Sequence, residues 1–356
     1  MSVQFIGMIG HRLSSEVLAP SGPVFDKDYI TRFAQAHEQA GFDRILVGYW
    51  SDQPDGFLVT ALAGLATSRI HFLLAHRPGF VAPTLAARKL ATLEHLLDGR
   101  LAVHIISGGS DIEQRKDGDH LAHDQRYART DEFLDVVRKV WTHDTPFDHD
   151  GNHYQAAGAF SAIKPLQQPH LPIYFGGSSP AALAVAGKHA DVYALWGESL
   201  EQTAETIAAV REQAARHGRQ VQFSVSFRPI IAATEEAAWA KAEGILGQAR
   251  QRLEQAGPVI ANKPQSVGAQ RLRDTVAKGE RVDERLWTGI AALVGGGHNS
   301  TALVGTAEQV ADALLAYYDL GVTSFLIRGF DPLADAEDYG RELIPLTRAK
   351  VAARNA

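Results

Sequence analysis

LAVHIISGGS, Leu101 to Ser110, is a short β-branched apolar run that follows the turn Asp98-Gly99-Arg100 and breaks off in glycine and serine. Such a run suits a parallel strand buried on both faces. His104 interrupts it, and a polar side chain inside a buried strand is costly unless it meets a partner or a ligand. Gly108 and Gly109 stand just past the strand and let another group approach the backbone closely. The same pattern recurs along the chain: an apolar run, then His, Trp, Arg or Gly-Ser at its C-terminal end.

Upstream, Pro83 to Leu97 is a helix with proline in its first turn and an apolar face of Leu85, Leu90, Leu93 and Leu97. Before it come strands Ile70 to Ala75, ending in His76-Arg77; Arg44 to Val47, ending in Tyr49-Trp50; and Val3 to Gly10, ending in His11. Helices over Asp26 to Ala40 and Phe57 to Thr67 separate them. Downstream, a helix spans Thr130 to Trp141, and Phe147 to Lys164 reads as a hairpin excursion turning at Asp150-Gly151-Asn152. Strands resume at Leu171 to Phe175, Asp191 to Leu195, Val221 to Phe227 and Val322 to Ile327. Eight strand–helix units imply an α/β fold, a (β/α)8 TIM barrel with insertions, with an open doubly wound sheet as the weaker alternative. One domain over 1–356 is expected. Ser110 to Arg129 reads as a long loop over the strand ends, and Pro258 to Arg285, rich in breakers and charges, as a mobile insertion.

Hydrophobic residues at 45% and charged residues at 21% describe a globular chain with enough apolar material for a large core. A formal charge of -6 gives no basic footprint for nucleic acid, and no apolar run reaches membrane-spanning length, so a small ligand and a cytoplasmic location are expected. The absence of cysteine removes disulfides, thiolate catalysis and thiolate metal sites together.

A barrel of this kind places its site at the C-terminal ends of the strands. That rule selects His11, Trp50, His76, His104, Ser107, Ser178, Ser179, Trp196, Arg228 and Arg328. Gly176-Gly177-Ser178-Ser179-Pro180 lies between a strand and a helix, where N–H groups and hydroxyls can hold a phosphate; a plain N-cap turn is the other reading. Trp196 and Arg228 suit a flat cofactor and an anionic substrate. There is no GxxxxGK[ST] loop, no GxGxxG after the first strand, and no HExxH or two-His-plus-carboxylate spacing, so ATP, NAD and metal sites of those types are not expected.

The phrases FLLAHRPGFVAPTLAARKLATLEHLLDGR, HDQRYARTDEFLDVVRKVW, QQPHLPIYFGGSSPAALAVAGKHADVYALWGE and STALVGTAEQVADALLAYYDLG resemble the flavin-dependent alkanesulfonate monooxygenases of the bacterial luciferase superfamily. The resemblance covers nearly the whole chain. It implies reduced FMN (FMNH2) delivered by a separate NAD(P)H-dependent flavin reductase, O2 as co-substrate, cleavage of an organosulfonate C–S bond to sulfite and an aldehyde, and a homo-oligomer, dimer or tetramer. Carried over by position, His76, His104 and Ser107 lie by the flavin, Tyr127 near its ribityl chain, and Gly177, Ser178 and Ser179 on its phosphate. Arg228, Trp196, His298, Arg328 and His11 are then the catalytic and substrate-facing set.

Departures from the family pattern fall on the substrate side. Gln53 stands near the usual cysteine, Ser226-Phe227-Arg228 replaces Arg-Leu-His, His298 and Asn299 stand near a missing arginine, and Phe330 replaces a tyrosine. A sulfosugar is therefore as acceptable an expectation as a simple alkanesulfonate. Two further readings are a luciferase-type oxygenase acting on a sulfone or aldehyde, and a flavin-binding protein without turnover.

Overall fold

The structure, a computed structural model, describes residues 2–255, 266–297 and 300–356. Eight parallel strands close into a barrel: β1 (Gln4–Ile9), β2 (Arg44–Val47), β3 (His71–His76), β4 (Leu101–Ile105), β5 (Ile173–Gly176), β6 (Val192–Trp196), β7 (Gln222–Phe227) and β8 (Val322–Ile327), with β8 pairing back to β1. This is the (β/α)8 barrel expected from the alternation, and the open-sheet alternative is excluded by that closing pair.

Each strand has two buried faces, which is why its sequence is almost continuously apolar. Ile6, Leu73, Ala102, Tyr174 and Val192 pack against one another as the barrel interior. Phe5, Ile45, Phe72, Val103, Ile173 and Phe325 belong instead to the larger core between barrel and helices. Side chains alternate between these layers with period two, so parity along each strand decides whether a residue at its C-terminal end faces the mouth or the helices.

The helices start where polar caps meet orphan N–H groups. Asp26 accepts from Tyr29 N at 2.9 Å, and Thr306 and Gln309 form a reciprocal capping box before helix Ala307–Asp319. The hairpin excursion is present as Phe147–Asp150 paired with Gln155–Ala159. Buried Glu94 accepts from Leu166 N, Gln167 N and the Gln167 amide, fixing the return from that hairpin into β5.

Two expected loops carry regular structure instead. Ser110 caps a short helix, Asp111–Lys116, and His123–Thr142 is one continuous helix, so only the linker between them lies open over the strand ends. Within the expected insertion, Val267–Lys278 is helical, and Arg281–Val282 and Leu286–Trp287 join Ala302–Gly305 and Ile230–Ile231 in a small second sheet. Ala269, Leu272 and Thr275 are the buried residues that order this helix, while its charged residues supply the ion pairs. Residues 258–265 of that insertion lie outside the described residues.

Candidate active site

Around the mouth, the end of β5 and the loop after it form one half of the site. Gly177 has φ +130, and a Cβ there would lie 2.7 Å from the Tyr127 hydroxyl and 2.9 Å from Ala182 Cβ, so only glycine fits. The Tyr193 hydroxyl donates to Gly177 O at 2.6 Å, with Ser178 beside it. Tyr127, on helix His123–Thr142, meets Ser179. Ser179 is the N-cap of helix Pro180–His189, accepting from Ala182 N at 3.2 Å, so its side chain does the capping work that the alternative reading assigned to it.

A second helix begins at the same place. A Cβ on Gly268, near the start of Val267–Lys278, would sit 3.4 Å from the Trp196 ring and 4.0 Å from Ser178 Oγ. Arg271 holds this helix down: its Nε lies 2.9 Å from both carboxylate oxygens of buried Glu198, and it donates to Gln202 O at 2.9 Å. Burial pushes the Glu198 carboxyl up, and the bonds and charge of Arg271 only partly offset it. The positive starts of two helices therefore converge on Ser178.

On β4, His104 continues the inward set with Ala102, and its register partner Ala75 has the same parity. Desolvation lowers its pKa to about 4, so the ring is neutral at pH 7, and its buried Nδ1 has no hydrogen-bond partner among the described residues. Trp196 ends β6 on the same inward parity, in register with Ser226.

The other half of the mouth carries charge. Ser226 and Leu326 set the inward parity of β7 and β8, and the next residues of that parity are Arg228 and Arg328. Both meet Glu16, from the loop after β1, at 2.6 and 3.3 Å. Arg228 is 1% exposed, donates to Gly329 O at 2.7 Å and stacks 3.7 Å from the Phe330 ring centre. Among the described residues, the buried Nε of each arginine has no acceptor. Burial alone would raise the Glu16 carboxyl, but Arg228 and Arg328 more than offset it and hold it at about 2. Desolvation, and then the charge of Arg228, lower Arg328 to about 10, which leaves it protonated. Two guanidiniums share one carboxylate, so the cluster keeps a net positive charge.

A luciferase-like monooxygenase family model matches residues 3–324. The chain belongs to that family. Several solved structures of similar shape are only distant in sequence. A riboflavin lyase, solved with modified FMN and riboflavin, has 20% identity and a TM-score of 0.81, covering 98% of this chain and 92% of its own. EDTA monooxygenase from Chelativorans sp. BNC1 has 20% identity and a TM-score of 0.77, covering 98% and 94%. The oxygenating constituent of 3,6-diketocamphane monooxygenase from Pseudomonas putida, in complex with FMN, has 19% identity and a TM-score of 0.69, covering 97% and 99%. These likenesses show the luciferase-like fold.

In this member of the luciferase-like family, the mouth gathers most residues that the sequence selected, with three corrections. His76 has helix-layer parity: it is buried between Phe57 and Phe133, so it does not face the mouth. Ser107 spends its hydroxyl on Thr130 Oγ1 at 2.9 Å, beneath helix His123–Thr142. Arg228 is too buried to meet a ligand first, and Arg328, with 26% of its side chain exposed, is the open end of the pair. His298 lies outside the described residues. His11 is half-buried at the end of β1, and desolvation, followed by the charge of Arg12, lowers its pKa.

Reading the sequence missed Arg77 and Glu16. Arg77 has the inward parity of Leu73 and Ala75, which its neighbour His76 lacks, and alternation along FLLAHR was the signal that marks it. Its guanidinium stacks 4.4 Å from the Tyr49 ring centre and lies 3.8 Å from Glu113 and 3.9 Å from Asp117, and among the described residues its buried Nε and Nη1 have no hydrogen-bond partner. Glu16 carried no local signal. Among the described residues, the grouping of metal-ligating types Asp131, Asp135 and His189 lies in the helix layer, and Lys188 stands 2.9 and 2.7 Å from its carboxylates, where a cation would sit. No helix among the described residues is long and apolar enough to cross a membrane.

Proposed function

We propose that this protein is a reduced-FMN-dependent monooxygenase that cleaves the C–S bond of an organosulfonate, an alkanesulfonate or a sulfosugar. The observation that carries the reading is the pairing of two sites across one barrel mouth: a glycine-serine cradle at two helix starts, and a net-positive arginine pair. The first fits a flavin phosphate, since the Gly177 cradle leaves no room for a Cβ and the N–H groups around Ser178 favour an anion. Neutral His104, with its orphaned Nδ1, supplies a hydrogen-bonding atom toward the ring system of the same cofactor.

When bound, reduced FMN supplies the electrons that let O2 deliver one oxygen atom to a substrate. The overall change converts sulfonate, FMNH2 and O2 into aldehyde, hydrogen sulfite, FMN and water. Arg328, backed by Arg228, binds the sulfonate, which is anionic at every relevant pH and offers acceptor oxygens to a guanidinium fork. Trp196 forms an apolar wall between cofactor and substrate. Helix Val267–Lys278, pinned by Arg271 on Glu198, excludes water from the cradle side.

A separate NAD(P)H-dependent reductase is the partner that this scheme requires, since no dinucleotide motif is present in the chain. The test is sulfite release from a panel of alkanesulfonates and sulfosugars, with FMNH2 supplied by a reductase under air. Sulfite formed in step with FMNH2-dependent substrate loss supports the reading. Oxygenation of a sulfone or aldehyde, without sulfite from any sulfonate, replaces it with the other luciferase-type chemistry.

A further inference from the structure

Glu16 has no place in the reaction above, yet it sits on both mouth arginines. Its carboxylate lies 2.6 Å from Arg228 Nη1 and 3.3 Å from Arg328 Nη2. Without it, two guanidiniums with little solvent would face an incoming anion with a charge of two. With it, the cluster carries one.

We propose that Glu16 sets the charge of the substrate head group, making the arginine pair a receptor for monoanions that rejects dianions of the same shape. The inference rests on the organosulfonate reading, and it adds a specificity-determining residue to it. A sulfonate brings the cluster to neutrality. A tetrahedral dianion leaves it net negative with Glu16 nearby, and the cost of desolvating an ion grows with the square of its charge, so the second charge is the expensive one. The remaining polar neighbours do not cancel this. Asp335, which accepts from Phe330 N at 2.8 Å, is already paired with Lys241 at 3.3 Å, and the Tyr339 hydroxyl, pushed well above its ordinary value by burial, stays neutral and donates to Pro229 O.

The probe pair is an alkanesulfonate that the enzyme turns over and the alkanephosphonate of the same chain. The sulfonate is a monoanion throughout, whereas the phosphonate passes from monoanion to dianion near neutral pH. Calorimetric binding of each to the wild-type protein should give similar affinities at pH 6, and a phosphonate weaker by roughly tenfold or more at pH 8.5. The sulfonate reports how titration of the protein moves a monoanion, and the comparison of wild type with Glu16→Gln at the same pH isolates the share owed to Glu16. Glu16→Gln should remove the discrimination at pH 8.5 by favouring the dianion. If the variant does not fold, the wild-type ratio still decides. A phosphonate that binds as well as the sulfonate at both pH values overturns the charge-selection role while leaving the sulfonate reading intact. If no sulfonate in the panel is turned over or binds, the organosulfonate reading itself fails.

Discussion

Gly177→Ala is the substitution that most directly tests the cofactor cradle. At φ +130 an alanine is strained by about 1–3 kcal/mol. Its Cβ would also press on the Tyr127 hydroxyl at 2.7 Å and on Ala182 Cβ at 2.9 Å, and overpacking of that kind costs about 1–3 kcal/mol more. Ala182 is fixed in the first turn of helix Pro180–His189, so the loop must move instead, carrying Ser178 and its N–H groups with it. If relieving about half of that strain displaces the phosphate contacts, FMN affinity falls by roughly 10- to 100-fold, at 1.4 kcal/mol for each factor of ten. The assay is anaerobic titration with reduced FMN and with reduced riboflavin, which shares the ring and ribityl chain but has no phosphate. Wild-type protein should prefer FMN, and the variant should lose most of that preference while its riboflavin affinity changes little. Equal weakening of both ligands, or an unchanged FMN:riboflavin ratio, would refute the assignment of the phosphate to this loop.

Two further outcomes follow from the same geometry. Arg328→Met keeps the apolar stem but removes the exposed guanidinium, and losing a partly desolvated ion pair worth about 2–3 kcal/mol should raise the sulfonate KM by roughly 30- to 150-fold; FMN affinity measured beside it should hold, and a parallel loss of both would move Arg328 into the cofactor site. His37 and His76 are both buried with pKa values lowered to about 4 by desolvation. The unfolded chain takes up their protons near pH 6.5 and the folded protein does not, so their stability contribution is complete above pH 6.5 and is lost as pH falls from there to about 4. Each contributes about 3 kcal/mol to that loss. Denaturant unfolding between pH 7 and pH 4.5 measures the slope, and His76→Leu, which retains packing between Phe57 and Phe133, should flatten part of it; a slope unchanged by the variant would contradict a neutral buried His76.

The sequence by itself determined the barrel, because strand burial on both faces writes a continuous apolar run and the intervening helices write a 3.6-residue period. It also determined which end of each strand to search, and hence His104, Trp196, Ser178, Arg228 and Arg328. Those are local properties of a few consecutive residues. Tertiary structure decided what depends on parity and on contacts between distant segments. His76 and Arg77 are adjacent, but the pleat turns one toward the helices and the other toward the mouth. Ser107 and Ser179 looked free for a ligand until Thr130 and Ala182 N came within hydrogen-bonding distance. The charged stretch after Gly257 read as a loop because its helix has few apolar residues of its own; Glu198 and Gln202, about seventy residues earlier in the chain, supply the partners that fix it. Glu16 became visible only when barrel closure set the loop after β1 beside the ends of β7 and β8, since the charge of a site is a sum over side chains that the sequence lists far apart.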